Sequence, residues 1–223
     1  MTDSSANPFA NFWQTDLLDM FFSPTQAADP LPTQDADLLR QFGFLPGLKE
    51  ILMVRQVHAL EHATVWVLSS RARSVKSGNS NSRQTDDDSL SGMSTDQGFY
   101  LYGEVNSEEI NQAVQTALRR ITSGEWDLAV HPRCGTNLSV GMLVTAGLAV
   151  GASALLPRDP IGQIVGLGLA AATATQITPD LGSLVQRYIT TAIPFNLEVD
   201  RITTMRDSFG NPAHFVRVKW AES

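Results

Sequence analysis

The chain has a single cysteine, Cys134, in 223 residues, which rules out an internal disulfide framework and suits a reducing compartment. Basic residues are also sparse. Sixteen Lys and Arg, scattered along the chain, face 23 Asp and Glu, giving a net charge of −7 and a pI near 5.0. No concentrated positive surface is available for a phosphate backbone, so nucleic acid is not an expected partner. The first twenty residues, MTDSSANPFANFWQTDLLDM, carry acidic rather than basic side chains ahead of their first apolar cluster. A secretory signal is therefore not expected. Histidine is scarcer still, with four residues, and two of them fall in one heptapeptide, HALEHAT at 58–64.

What remains is enough for a real core: 43% of residues are hydrophobic, sufficient for one ordinary domain or two small ones. Residues 1–47 are rich in Pro, Asp, Thr and Gln, with aromatics at Phe12, Trp13, Phe21 and Phe22, and read as a loosely ordered tail. Residues 48–223 read as one domain. From Leu48 to about Ser69 there is neither Pro nor Gly, and apolar side chains dominate, which predicts a long, largely buried helix. The stretch 70–96 is rich in Ser, Asn, Asp and Gly and predicts a flexible loop. GFYLYGEV at 98–105 predicts a strand, Asn106 a cap with Glu109 completing a capping box, and EEINQAVQTALRRI a helix. WDLAV predicts a short strand leading into HPRCGTN at 131–137, where Thr136 or Asn137 can cap the following helix. NLEVDRITTM and HFVRVKW alternate around DSFGNP and predict a terminal hairpin, with His214 at a turn boundary as an ordinary surface residue.

Two runs, 138–156 and 161–177, contain no charged residue. Each is near the length of about 20 residues that a helix needs to cross a bilayer. Gly147 with Gly151, and Gly162 with Gly166, form small-xxx-small pairs that let helices approach closely. The expectation is a transmembrane helical hairpin over 138–177, contacting lipid; a buried hairpin in a soluble protein is the other reading. Arg119, Arg120, Arg133 and Arg187 flank its open end, which places both termini of a multi-pass protein in the cytoplasm. The fold class is α+β, with a long motif-bearing helix, a small sheet and an inserted apolar hairpin. The chain is compatible with a homo-oligomer.

His58, Glu61 and His62 stand at i, i+3 and i+4, so a helix presents all three from one side. Two imidazoles one turn apart suit zinc, and a neighbouring carboxylate can take a proton from water. H-x-x-E-H is also the inverted-zincin order. His131 and Cys134 add an imidazole and a thiolate in the second motif. The candidate site is thus His58, His62, His131 and Cys134 as zinc ligands, with Glu61 as the catalytic base. A metal-free network of buried histidines and a carboxylate also fits these residues, as does a Cys134 nucleophile with a histidine base.

HALEHAT, GFYLYGEV and HPRCGTN followed by two apolar helices together resemble a cyanobacterial family of uncharacterised proteins. They are more distantly similar to the YqhQ-like bacterial membrane proteins, in which an H-x-x-E-H-K-T helix is paired with an HPRCGT loop leading into transmembrane segments. The similarity spans roughly residues 50–200 and includes QRYITT. This chain has Ala63 where those relatives carry lysine. The resemblance implies membrane embedding and a metal site, and it implies no reaction. A metal-dependent, peptidase-like hydrolase is the expectation, and a non-enzymatic membrane scaffold or assembly factor is the alternative.

Overall fold

A helix that is buried all round organises the molecule. In the computed structural model, which describes residues 30–77, 90–156 and 159–221, every residue from Gln56 to Ser69 except His58 is buried. The middle of helix α2 (Leu48–Ser77) therefore lies inside the protein, and its polar side chains must find partners there. A short α1 (Gln34–Phe42) precedes it. Helices α1 and α2 and all later elements belong to one compact unit, Pro32–Ser223.

Strands β1 (Ser91–Thr95) and β2 (Gly98–Tyr102) form a hairpin; β3 (Leu197–Arg206) and β4 (Pro212–Trp220) form a second. The four make one antiparallel sheet in the order β1-β2-β4-β3. Helix α3 (Ser107–Thr122) starts as its capping residue dictates, with Asn106 Oδ1 accepting from Glu109 N at 2.8 Å. Its apolar stripe meets α2 and the sheet in a core built on Val57, Leu60, Phe99, Ile110, Ile121 and Val216.

Helices α4 (Gly135–Leu155) and α5 (Pro160–Val185) form the apolar hairpin. Both are long and apolar enough to cross a membrane, and only 6% and 17% of their most apolar windows are buried in the protein. Leu143, Val150, Leu155, Ile161 and Ile164 project outward, an extent of exposed apolar surface that marks an interaction surface. Helix α5 runs through Pro179 and ends in one π turn, Gln186–Thr190.

Several elements differ from the sequence reading. WDLAV is a 3-10 turn, Trp126–Ala129, because Leu128 N and Val130 N bond back three residues to Glu125 O and Asp127 O. The polar stretch 70–96 is not loop at either end: α2 continues to Ser77 and β1 begins at Ser91, while residues 78–89 lie outside the described residues. Within the stretch read as a tail, α1 is fixed to α2 by Asp35 Oδ2 accepting from Gln56 Nε2 at 2.6 Å; the aromatics of 12–22 lie outside the described residues. His214 is not a surface residue. It is buried on β4, with Nδ1 3.4 Å from both Ser107 Oγ and Thr204 Oγ1. Gly166 alone among Gly147, Gly151 and Gly166 has a close neighbour across the hairpin, namely Leu156 and Ala152; nothing lies within 4 Å of where a side chain at Gly147 or Gly151 would begin.

Candidate metal centre

Helical periodicity aims His58, Glu61 and His62 out of one side of α2, toward the loop that carries the second motif and toward β1. The histidine rings stand 4.3 Å apart, centre to centre. Each imidazole is held from behind by a main-chain carbonyl: His58 Nδ1 lies 3.0 Å from Thr190 O, and His62 Nδ1 lies 2.6 Å from Ala129 O. Carbonyl oxygens only accept, so each Nδ1 carries the proton and each Nε2 of a neutral ring keeps its lone pair. Hydrogen bonds of this kind, made on the far side of the ring, orient histidines that ligate metals.

The lone pairs converge with a sulfur. His58 Nε2 is 3.2 Å from Cys134 Sγ, and one ligand atom from each of His58, His62 and Cys134 lies within 4.8 Å of the other two. Cys134 is placed by its role as N-cap of α4, where Sγ accepts from Thr136 N at 3.4 Å. The cap is therefore the cysteine rather than Thr136 or Asn137, and a helix N-terminus does stand beside the thiol. Burial pushes the Cys134 thiol up, but without a metal the hydrogen bond and charge of a protonated His62, with the bonds from Thr136, outweigh it. The net effect holds its pKa below the ordinary cysteine value, which favours the thiolate that metals bind.

His131 stands beside this group. Its ring centre is 5.5 Å from that of His62 and 4.9 Å from that of Trp66; it lines the same cavity but is outside the group of three whose ligand atoms converge. Its backbone N–H donates to Gln186 Oε1 at 2.8 Å, and Gln186 Nε2 donates to Asn137 Oδ1 at 2.7 Å. A fully buried glutamine in the π turn thus fixes both ends of the HPRCGTN loop. Nothing in the sequence marked Gln186 for this.

Glu61 faces the same space. Its Oε2 accepts from Ser94 Oγ at 2.5 Å, and burial pushes its carboxyl above the usual carboxylate range against the opposing pulls of Ser94 and His58. The three candidate ligands, Glu61 and Ser94 line one cavity of about 550 Å³, with Val54, Met93 and Arg133 also on its walls. β1 approaches closely only because residue 92 is glycine: a Cβ there would collide with the Glu61 carboxylate. Gly92→Ala is accordingly expected to displace Glu61 and to cost about 1–3 kcal/mol through overpacking, read as a lowered midpoint in thermal unfolding.

Among the described residues, His58, His62 and Cys134 form a group that can hold a metal ion, in an α+β protein with an apolar hairpin at its flank. The model of a protein family described as a domain of unknown function, DUF6391, matches residues 53–202, a span that contains both motifs and the hairpin. An uncharacterised protein of the cyanobacterium Picosynechococcus is 51% identical over 203 residues, covering 91% of this chain and 97% of that protein. The chain belongs to this uncharacterised family. No solved structure matches it.

Proposed function

We propose that the protein is a multi-pass membrane protein, with both termini in the cytoplasm, whose His58, His62 and Cys134 hold zinc in an open, hydrolytic site. The observation that carries this reading is the pair of Nδ1–carbonyl bonds, which turns both Nε2 lone pairs toward the Cys134 sulfur. Two imidazoles and a thiolate are a donor set suited to zinc. Three protein ligands are the number found in catalytic zinc sites, where the fourth position takes water or substrate. A zinc ion held there would supply Lewis acidity and lower the pKa of a water molecule.

The protein's own contribution is then positional and basic. Glu61, buried and tethered through Ser94, accepts a proton from water in the cavity and can return it to a leaving group. Its raised pKa brings the carboxyl closer to the working range of such a base. His131 stands beside His62 on the cavity wall, and Gln186 holds the loop. The hairpin anchors the site at a membrane, with Arg119, Arg120, Arg133 and Arg187 at its open end favouring the cytoplasmic side.

Cobalt substitution tests this without a known substrate. The expected spectrum has a sulfur-to-cobalt charge-transfer band, lost in Cys134→Ser, and d–d bands that change on adding azide. Bands that ignore azide would refute the open position and leave the metal as a pin between α2 and the hairpin. A second reading, a Cys134 nucleophile with His58 as its base, is favoured by their 3.2 Å separation and by the N-cap position of the thiol. It requires metal-free protein to be rapidly alkylated at Cys134, with the rate falling in His58→Ala.

A further inference from the structure

The turn between α1 and α2 exposes more apolar surface than a solvated turn needs. Phe42, Phe44, Leu45 and Ile51 are all exposed, Phe44 by 78% and Ile51 by 60%. The segment is nevertheless ordered: Leu45 N bonds Phe42 O, Ile51 N bonds Gly47 O, and Asp35 ties α1 to the buried Gln56. Gly47 takes a φ of +84°, which lets the chain reverse into α2.

Contacts along α2 locate this elbow. Toward its C-terminal end Trp66 Nε1 bonds Val130 O and His62 bonds Ala129 O; one turn back His58 meets Thr190 O and Cys134. A further turn back, Arg55 bonds Tyr188 O and Thr191 O in the segment that ends α5. His58 and Arg55 thus hold the N-terminal half of α2 against the foot of the hairpin, where Cys134 caps α4 and Tyr188–Thr191 follow α5. The helix continues about 10 Å past Arg55 to Leu48, at 1.5 Å per residue. Tyr188 and Ile189, at the foot of the hairpin, are themselves 50% and 63% exposed.

We infer that the Phe42–Ile51 elbow is an interfacial anchor that inserts its aromatic and aliphatic side chains into the lipid headgroup and upper acyl layer. This rests on the membrane reading of the hairpin, to whose foot α2 is tied by the Arg55 bonds and where Tyr188 and Ile189 are exposed as well. Aromatic side chains favour that layer, and the exposed Lys49 suits its anionic surface, while Arg40 is paired with Asp37. Val54, within a turn of Ile51 and on the wall of the metal cavity, then sets the cavity mouth at headgroup level.

The test uses the full-length chain in nanodiscs. A fluorescent amino acid is incorporated singly at Phe44, Ile51, Val150 on the hairpin, or Phe209, a 90% exposed turn residue remote from it. Lipids carrying a nitroxide near the headgroup should quench Phe44 and Ile51 several-fold more than Phe209. If Val150 is quenched by mid-chain nitroxides while Phe44 and Ile51 behave as Phe209 does, the anchor is wrong and the membrane hairpin stands. That pattern is also expected if a protein partner covers the elbow. If Val150 is not quenched either, the membrane reading fails and the anchor fails with it.

Discussion

Zinc affinity should fall on the order of a hundredfold or more in each of His58→Ala, His62→Ala and Cys134→Ala, measured by competition with a chromophoric chelator. The magnitude follows from zinc sites worth roughly 10–16 kcal/mol over four ligands, or about 3 kcal/mol for each. His131→Ala is expected to lose only about tenfold, as an outer residue does, because its ring neighbours that of His62 but is outside the group of three ligand atoms. Equal losses in all four variants would mean that His131 moves in and ligates, and the site would then be closed rather than open. The series therefore decides between a shell of three protein ligands and one of four.

Gln186→Leu should destabilise the folded protein by about 2–5 kcal/mol, read as a lowered thermal midpoint in detergent or nanodiscs. Leucine nearly preserves the volume but leaves His131 N–H and Asn137 Oδ1 without the partner each has in Gln186, and a stranded buried polar group costs about 1–3 kcal/mol. The same change frees the loop that places Cys134, so zinc affinity should fall with stability. Gln186→Glu, which keeps an acceptor for His131 N–H but removes the donor to Asn137, should recover part of both. An unchanged thermal midpoint in Gln186→Leu would show that the π turn does not brace the motif loop.

Much of this architecture is legible in the residues. The Pro- and Gly-free run from Leu48, the Asn106–Glu109 cap and the alternation of HFVRVKW each express a period or a cap that the fold then uses, whereas the alternation of NLEVDRITTM is broken by an irregularity between Val199 and Arg201. Charge-free runs likewise announce α4 and α5, although α5 begins with Pro160, a residue suited to a first helical turn. β1 is illegible because SGMST has little strand propensity; it forms since β2 pairs with it and Gly92 lets it lie against Glu61. WDLAV has too few residues to separate alternation from a tight 3-10 turn.

The candidate site divides the same way. Clustering of scarce residues brought His58, Glu61, His62, His131 and Cys134 into view together, and all five line one cavity. Rank within the cluster was not legible. Only the fold places Thr190 O and Ala129 O behind the two α2 histidines and leaves His131 outside the group of three ligand atoms. Ser94 and Gln186 carry no local signal, because their roles depend on tertiary neighbours far away in the chain.

Zinc K-edge X-ray absorption on the purified, zinc-loaded protein tests the central claim most directly. The expected coordination sphere has two nitrogens at about 2.0 Å, one sulfur at about 2.3 Å and one further light atom. Loss of the sulfur contribution in Cys134→Ser, with both histidine nitrogens retained, would complete the assignment. A zinc shell without sulfur, or protein that takes up no zinc at all, would contradict it.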